Sequence, residues 1–137
     1  MLVGAAVASR VDPVLGLPLA FASHFALDAI PHYDGYYPKR PYQILPLAQL
    51  LTDFLLGTVL LAIFTNGRPD QTYLVVAALV AILPDIFYGL QFNYNLLGFL
   101  KPLQEFHQAI QLPLRPPVFI LTTVVTALVA VWILGTF

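Results

Sequence analysis

Residues 117–136, PVFILTTVVTALVAVWILGT, run without a single charged side chain. A bilayer core ~30 Å thick is crossed by about 20 apolar residues in helix, with a range of about 17–25. This run meets that requirement, and so do residues 13–30, 44–65 and 72–91. Pro13 opens the first of these and the Ile30-Pro31 step closes it, because proline removes a donor and disfavours helix in the residue before it. Asn66-Gly67 ends the second in a turn, and Pro84 predicts a kink in the third. Residues 2–9 are apolar but too short to span. The chain is 59% hydrophobic and 9% charged, against about 45–50% and about a quarter in soluble domains. The expectation is an all-α integral membrane bundle of four transmembrane helices in one domain over residues 1–137.

Residues 99–112, FLKPLQEFHQAIQL, read differently. At about 100° per residue, Phe99, Leu100, Leu103, Phe106 and Ile110 share one arc, with Lys101, Gln104, Glu105 and Gln108 opposite. That pattern predicts an amphipathic helix lying in the membrane interface. His107 falls inside the apolar arc and is expected to face protein or membrane. Alternation of the spans puts loops 31–43 and 92–116 on one side. Lys39, Arg40, Lys101 and Arg115 there outnumber Arg10 and Arg68 on the other, which predicts a cytoplasmic side for those loops in an inner or plasma membrane protein.

Several function classes are excluded early. A net charge of −1 gives no basic footprint for nucleic acid. The absence of cysteine removes disulfides and thiolate ligands. No basic region precedes the first apolar residues, so no cleavable signal is expected. Ser9 and Ser23 are the only serines, no G-x-S-x-G elbow is present, and no glycine-rich phosphate loop occurs.

What remains is a set of acids and histidines where a greasy chain should have none. Asp28, Asp53 and Asp85 each fall within an expected span, and all lysines and arginines lie outside the spans. An aspartate near the centre of a membrane helix costs about 2.5–3.5 kcal/mol on insertion scales, so these carboxylates call for a proton, a cation or a wet cavity. His24 and Asp28, four residues apart, project from one helical face. His32 and Asp34 follow just beyond Pro31. Imidazole with carboxylate suits zinc, manganese or iron, and a cation of that kind acidifies water for hydrolysis. The candidate metal ligands are therefore His24, Asp28, His32, Asp53, Asp85 and His107. Asp28, Asp53 and Asp85 are the candidate catalytic carboxylates. A hydrogen-bonded His24–Asp28 pair that locks two helices is the structural alternative. The tyrosines of YDGYYPKRPY read as an aromatic belt, with Lys39 and Arg40 either snorkelling or gripping a phosphate.

The run S-H-F-A-L-D-A-I-P-H-Y-D, with Leu83-Pro84-Asp85 and Phe106-His107, resembles the signature of the YdjM-like group. These are small membrane-bound metal-dependent hydrolases, also described as LexA-binding and inner-membrane-associated. The first motif is the specific one. The chain departs from the group at Gln111, where a second histidine is expected, and in having no histidine ahead of LVGAAVA. The resemblance implies a metal-dependent hydrolase of a membrane-associated substrate such as a lipid phosphoester, with zinc the first choice of cofactor and membrane lipid the partner. Two other classes stand beside it. One is a non-catalytic small subunit of a larger membrane complex or homo-oligomer, with a histidine on a pigment or haem. The other is a proton- or cation-coupled carrier, since unpaired intramembrane acids mark ion paths.

Overall fold

The computed structural model describes residues 1–30, 44–94, 98–110 and 116–136. Seven α-helices follow one another among them: α1 (Leu2–Ala8), α2 (Pro13–Asp28), α3 (Ile44–Thr65), α4 (Gln71–Ala81), α5 (Leu83–Tyr94), α6 (Lys101–Ile110) and α7 (Pro116–Gly135). A single 3₁₀ turn, Gly98–Leu100, leads into α6.

Local chemistry sets most of the boundaries. The Asp12 carboxylate accepts the Val14 N–H at 2.9 Å and Pro13 opens α2, the arrangement favoured at a helix start. Gly67, at φ 76°, carries the chain out of α3 through the left-handed region that glycine enters without cost. The expected kink near Pro84 is a full break, with α4 ending at Ala81 and α5 beginning at Leu83. Proline there cannot donate to the preceding turn and clashes with it.

The core is built on α1, which packs against α2, α4 and α7. Its contacts are mostly alanine: Ala5, Ala6 and Ala8 meet Ala20 of α2 and Ala77, Ala78 and Ala81 of α4, with Leu2, Leu74 and Leu134 filling the larger gaps. A Cβ on Gly4 would collide with that of Ala81 and lie 3.2 Å from the Ala77 carbonyl oxygen. Small side chains thus set how closely these helices approach. Two arginines close the far end of the bundle. Arg68 donates to the Leu134 carbonyl at 3.0 Å while forking onto Asp70 at 2.9 and 2.8 Å. Arg10 donates to the Ile133 carbonyl at 2.8 Å and bonds to Thr136. Both satisfy carbonyls that the last turn of α7 leaves open.

The membrane expectation is corrected by this structure. Among the described residues no helix is long and apolar enough to cross a membrane. The first expected span is a helix of 16 residues, ~24 Å by its rise, with Pro18 inside it and bearing His24 and Asp28. The third is cut into helices of 11 and 12 residues. The described side chains of α3, from Leu51, and of α7, from Leu121, fall under the same finding. The four-span bundle, the inner or plasma membrane location and the cytoplasmic side assigned to loops 31–43 and 92–116 are overturned together. Among the described residues the arrangement is all-helical. The expected interfacial helix also finds protein partners: α6 packs on α2 and α5, and Gln104 donates to the Phe87 carbonyl at 3.4 Å. Large apolar side chains still face outward on α3 and α7, among them Leu55, Ile63, Leu128 and Trp132, each more than 60% exposed.

Candidate metal centre

Three helices meet at one cluster of titratable groups. The last two turns of α2 supply His24 and Asp28 on one face, the first turn of α5 supplies Asp85, and α6 supplies His107. His24 and His107 are buried, at 9% and 3% exposure. The Asp28 Oδ2 atom lies 2.6 Å from His107 Nε2 and 3.1 Å from His24 Nε2. The two Nε2 atoms are 3.3 Å apart, and Asp85 Oδ1 is 3.4 Å from that of His24. Among the described residues, His24, Asp28 and His107 form the one group of three whose ligand atoms all fall within 4.8 Å of one another.

This donor set suits a divalent cation as well as a hydrogen-bonded imidazole–carboxylate cluster. One ring nitrogen can donate one hydrogen or accept one, yet His24 Nε2 has three polar atoms within 3.4 Å. Oδ2 of Asp28 is buried and receives no aligned N–H despite the two imidazoles beside it. A tetrahedral zinc with nitrogen and oxygen ligands at about 2.0–2.1 Å holds its ligand atoms about 3.3–3.4 Å apart. The His24–His107, His24–Asp28 and His24–Asp85 separations are close to that value. The His107–Asp28 edge is shorter and has the length of a charge-assisted hydrogen bond.

The electrostatics are those of an imidazole–carboxylate ion pair. Asp28 closes α2, where the negative end of the helix dipole disfavours a carboxylate. Its burial also opposes ionisation, but the neighbouring imidazoles of His107 and His24 outweigh that burial and hold it well below the usual carboxylate range. Burial works against the His24 imidazolium too, and is outweighed by Asp28 and Asp85, which hold its pKa above the ordinary value. Asp85 behaves oppositely: burial, together with the charge of Asp28, pushes its carboxyl up. Its side chain is nevertheless 59% exposed. Protein surrounds this carboxyl, which lines a cavity.

That cavity, of about 700 Å³, runs from Asp28 and Asp85 past the α1 side chains to α3 and α7. Asp53 lines it as well, from α3, and burial raises its pKa. Asp53 shares the cavity but does not join the three converging ligands. His32 and Asp34, with Lys39 and Arg40, lie outside the described residues.

Sequence reasoning passed over the aromatic packing of the centre. Phe25 stands edge-on to both imidazoles, with ring centroids 5.5 Å from His24 and 5.8 Å from His107, and contacts Phe106 at 5.6 Å. Tyr88 of α5 stands edge-on to His107 at 6.0 Å. The one available signal was that these two histidines are each flanked by a phenylalanine, Phe25 after His24 and Phe106 before His107. Comparison with protein-family models, with curated proteins and with solved structures gives no match to this chain.

Proposed function

We propose that this chain is a divalent-metal-dependent hydrolase whose cation is held by His24, Asp28 and His107. The observation that carries this reading is the convergence of two imidazole nitrogens and a buried carboxylate oxygen within 2.6–3.3 Å of one another. Zinc suits the donor set best, with manganese or iron as alternatives. Such a cation polarises a substrate oxygen and lowers the pKa of water toward neutrality. The resemblance of SHFALDAIPHYD to the YdjM-like group agrees with this chemistry.

The roles divide by exposure. His24, Asp28 and His107 are enclosed and suit holding and orienting. Asp85 reaches the cavity and stands beside His24, and its raised pKa suits a group that takes a proton from the attacking water and returns it to the leaving group. Asp53, on another wall, suits contact with a bound substrate.

The test is metal content and ester hydrolysis on the same purified samples. The native chain is expected to retain about one equivalent of a transition metal after dialysis. Asp85→Asn should keep the metal and lose about 10²–10⁴-fold in hydrolysis. A chain that takes up no divalent metal, or an Asp85→Asn variant of full activity, would overturn the assignment.

A second reading rests on the surface. Leu55, Ile63, Leu128 and Trp132 expose apolar area of the kind that marks an interaction site when contiguous. This favours a non-catalytic subunit of a larger assembly, in which the histidines hold a structural ion or a pigment. Isolation of the chain only in a fixed-stoichiometry complex, with no hydrolysis by that complex, would select it.

A further inference from the structure

The cavity beside the cluster carries information about what it can receive. Its walls are mainly aliphatic and aromatic, including Leu27, Leu51, Phe54 and Ile86, while Asp28, Asp53 and Asp85 provide its charge. No lysine or arginine is among the described residues that line it. A volume of about 700 Å³ lies within the roughly 300–1,000 Å³ typical of small-molecule sites. Leu51, Phe54 and Ile86 are each more than 40% exposed, so the cavity is open to an entering chain.

A phosphate monoester or diester brought here would meet three carboxylates and, among the described residues that line the cavity, no lysine or arginine. An uncharged head meets no such repulsion, and a cationic head is attracted. We propose that this cavity receives an amphiphile consisting of an aliphatic chain with a neutral or cationic head, so that the bond presented to the cluster is a carboxylic ester or amide. This rests on the hydrolase reading of the adjoining cluster for its chemistry, but not for binding. In the reaction, the water oxygen bonds to the acyl carbon as the acyl C–O or C–N bond breaks. One water proton passes through Asp85 to the departing alkoxide or amine, and the acid retains the other.

Calorimetric titration of metal-free protein with alkyl probes below their micelle concentrations tests the assignment. Octyl, decyl and dodecyl chains bearing trimethylammonium, an uncharged acetate ester or phosphate are compared at matched length. The ammonium and ester probes should gain up to about fourfold in affinity per methylene. The phosphate probe should bind at least tenfold more weakly, and Asp53→Asn should narrow that gap. Among the described residues, a Cβ on Gly57 would meet the Met1 side chain, at 3.7 Å, and the rest of a larger side chain would enter the cavity. Gly57→Leu, which favours helix, should therefore weaken all probes at least tenfold while leaving the circular dichroism unchanged. Phosphate binding as tight as ammonium binding overturns the proposal. So does affinity independent of chain length, or a folded Gly57→Leu variant that binds as the native chain does. Should the probes bind as described while the metal-loaded protein splits neither ester nor amide, the cavity assignment stands and the hydrolase reading fails.

Discussion

His24 Nε2 has Asp28, Asp85 and His107 within 3.4 Å, so its protonation governs both stability and metal uptake. Its pKa is raised in the fold, and a raised imidazole pKa stabilises below the unfolded value of about 6.5 and ceases to do so as pH rises through the folded value. Asp28 has the opposite sign: its lowered pKa gives stability above the unfolded value of about 3.9 that is lost as pH falls toward the folded one. Asp85 and Asp53, both raised, subtract stability as pH rises above their unfolded value of about 3.9, which draws the optimum toward the acid end of the range these groups define. Urea denaturation of the metal-free chain should therefore show greatest stability between about pH 4 and pH 6.5. Metal uptake should run the other way and weaken with acidity, because the imidazoles must lose their protons first. Removing a ligand tests the same atoms. His107→Ala should lower metal affinity about 100-fold or more, beyond the roughly 10–100-fold expected of an outer partner, as read by competition with a chromophoric chelator.

At the scale of elements, α1 is only seven residues long yet forms the centre of the core. A helix that short is marginal alone, so its order depends on close contact with α2, α4 and α7. Gly4→Val should destabilise the chain by about 1–3 kcal/mol through overpacking against Ala81 and Ala77, measured by chemical denaturation. The other end of the bundle depends on Arg68, which joins the turn after α3 to the last turn of α7. Arg68→Ala should cost about 1–3 kcal/mol, in the range for hydrogen bonds involving a charged group. Exchange of the amides near the end of α7 should quicken more than that of α1.

For the whole molecule, the cluster ties α2 to α5 and α6, elements remote in sequence. A cation held there binds the folded chain and not the unfolded one. Zinc at about 100 times its dissociation constant should add about 2.7 kcal/mol of stability, seen as a higher midpoint in thermal denaturation. His24→Ala should abolish that gain. If zinc raises the midpoint equally in His24→Ala, the ion is bound elsewhere.

Much of the helical plan was legible in the residues themselves. Pro13 after Asp12, the Asn66-Gly67 turn and Pro84 act through bonds to near neighbours, so the starts and stops of α2, α3 and α5 could be read along the chain. The His24–Asp28 pair was legible for the same reason, since four residues return a helix to one face. Long apolar runs were a poorer guide. They record that a segment avoids water, not what covers it, and so the spans read from them were corrected by helix length and interruption. Only the tertiary structure decided that α1 is the centre of the core, that His107 rather than Asp53 completes the cluster, and that Asp28, Asp53 and Asp85 share one cavity. Those are distances between residues far apart in sequence, fixed by how closely small side chains let helices approach, and no local pattern records them.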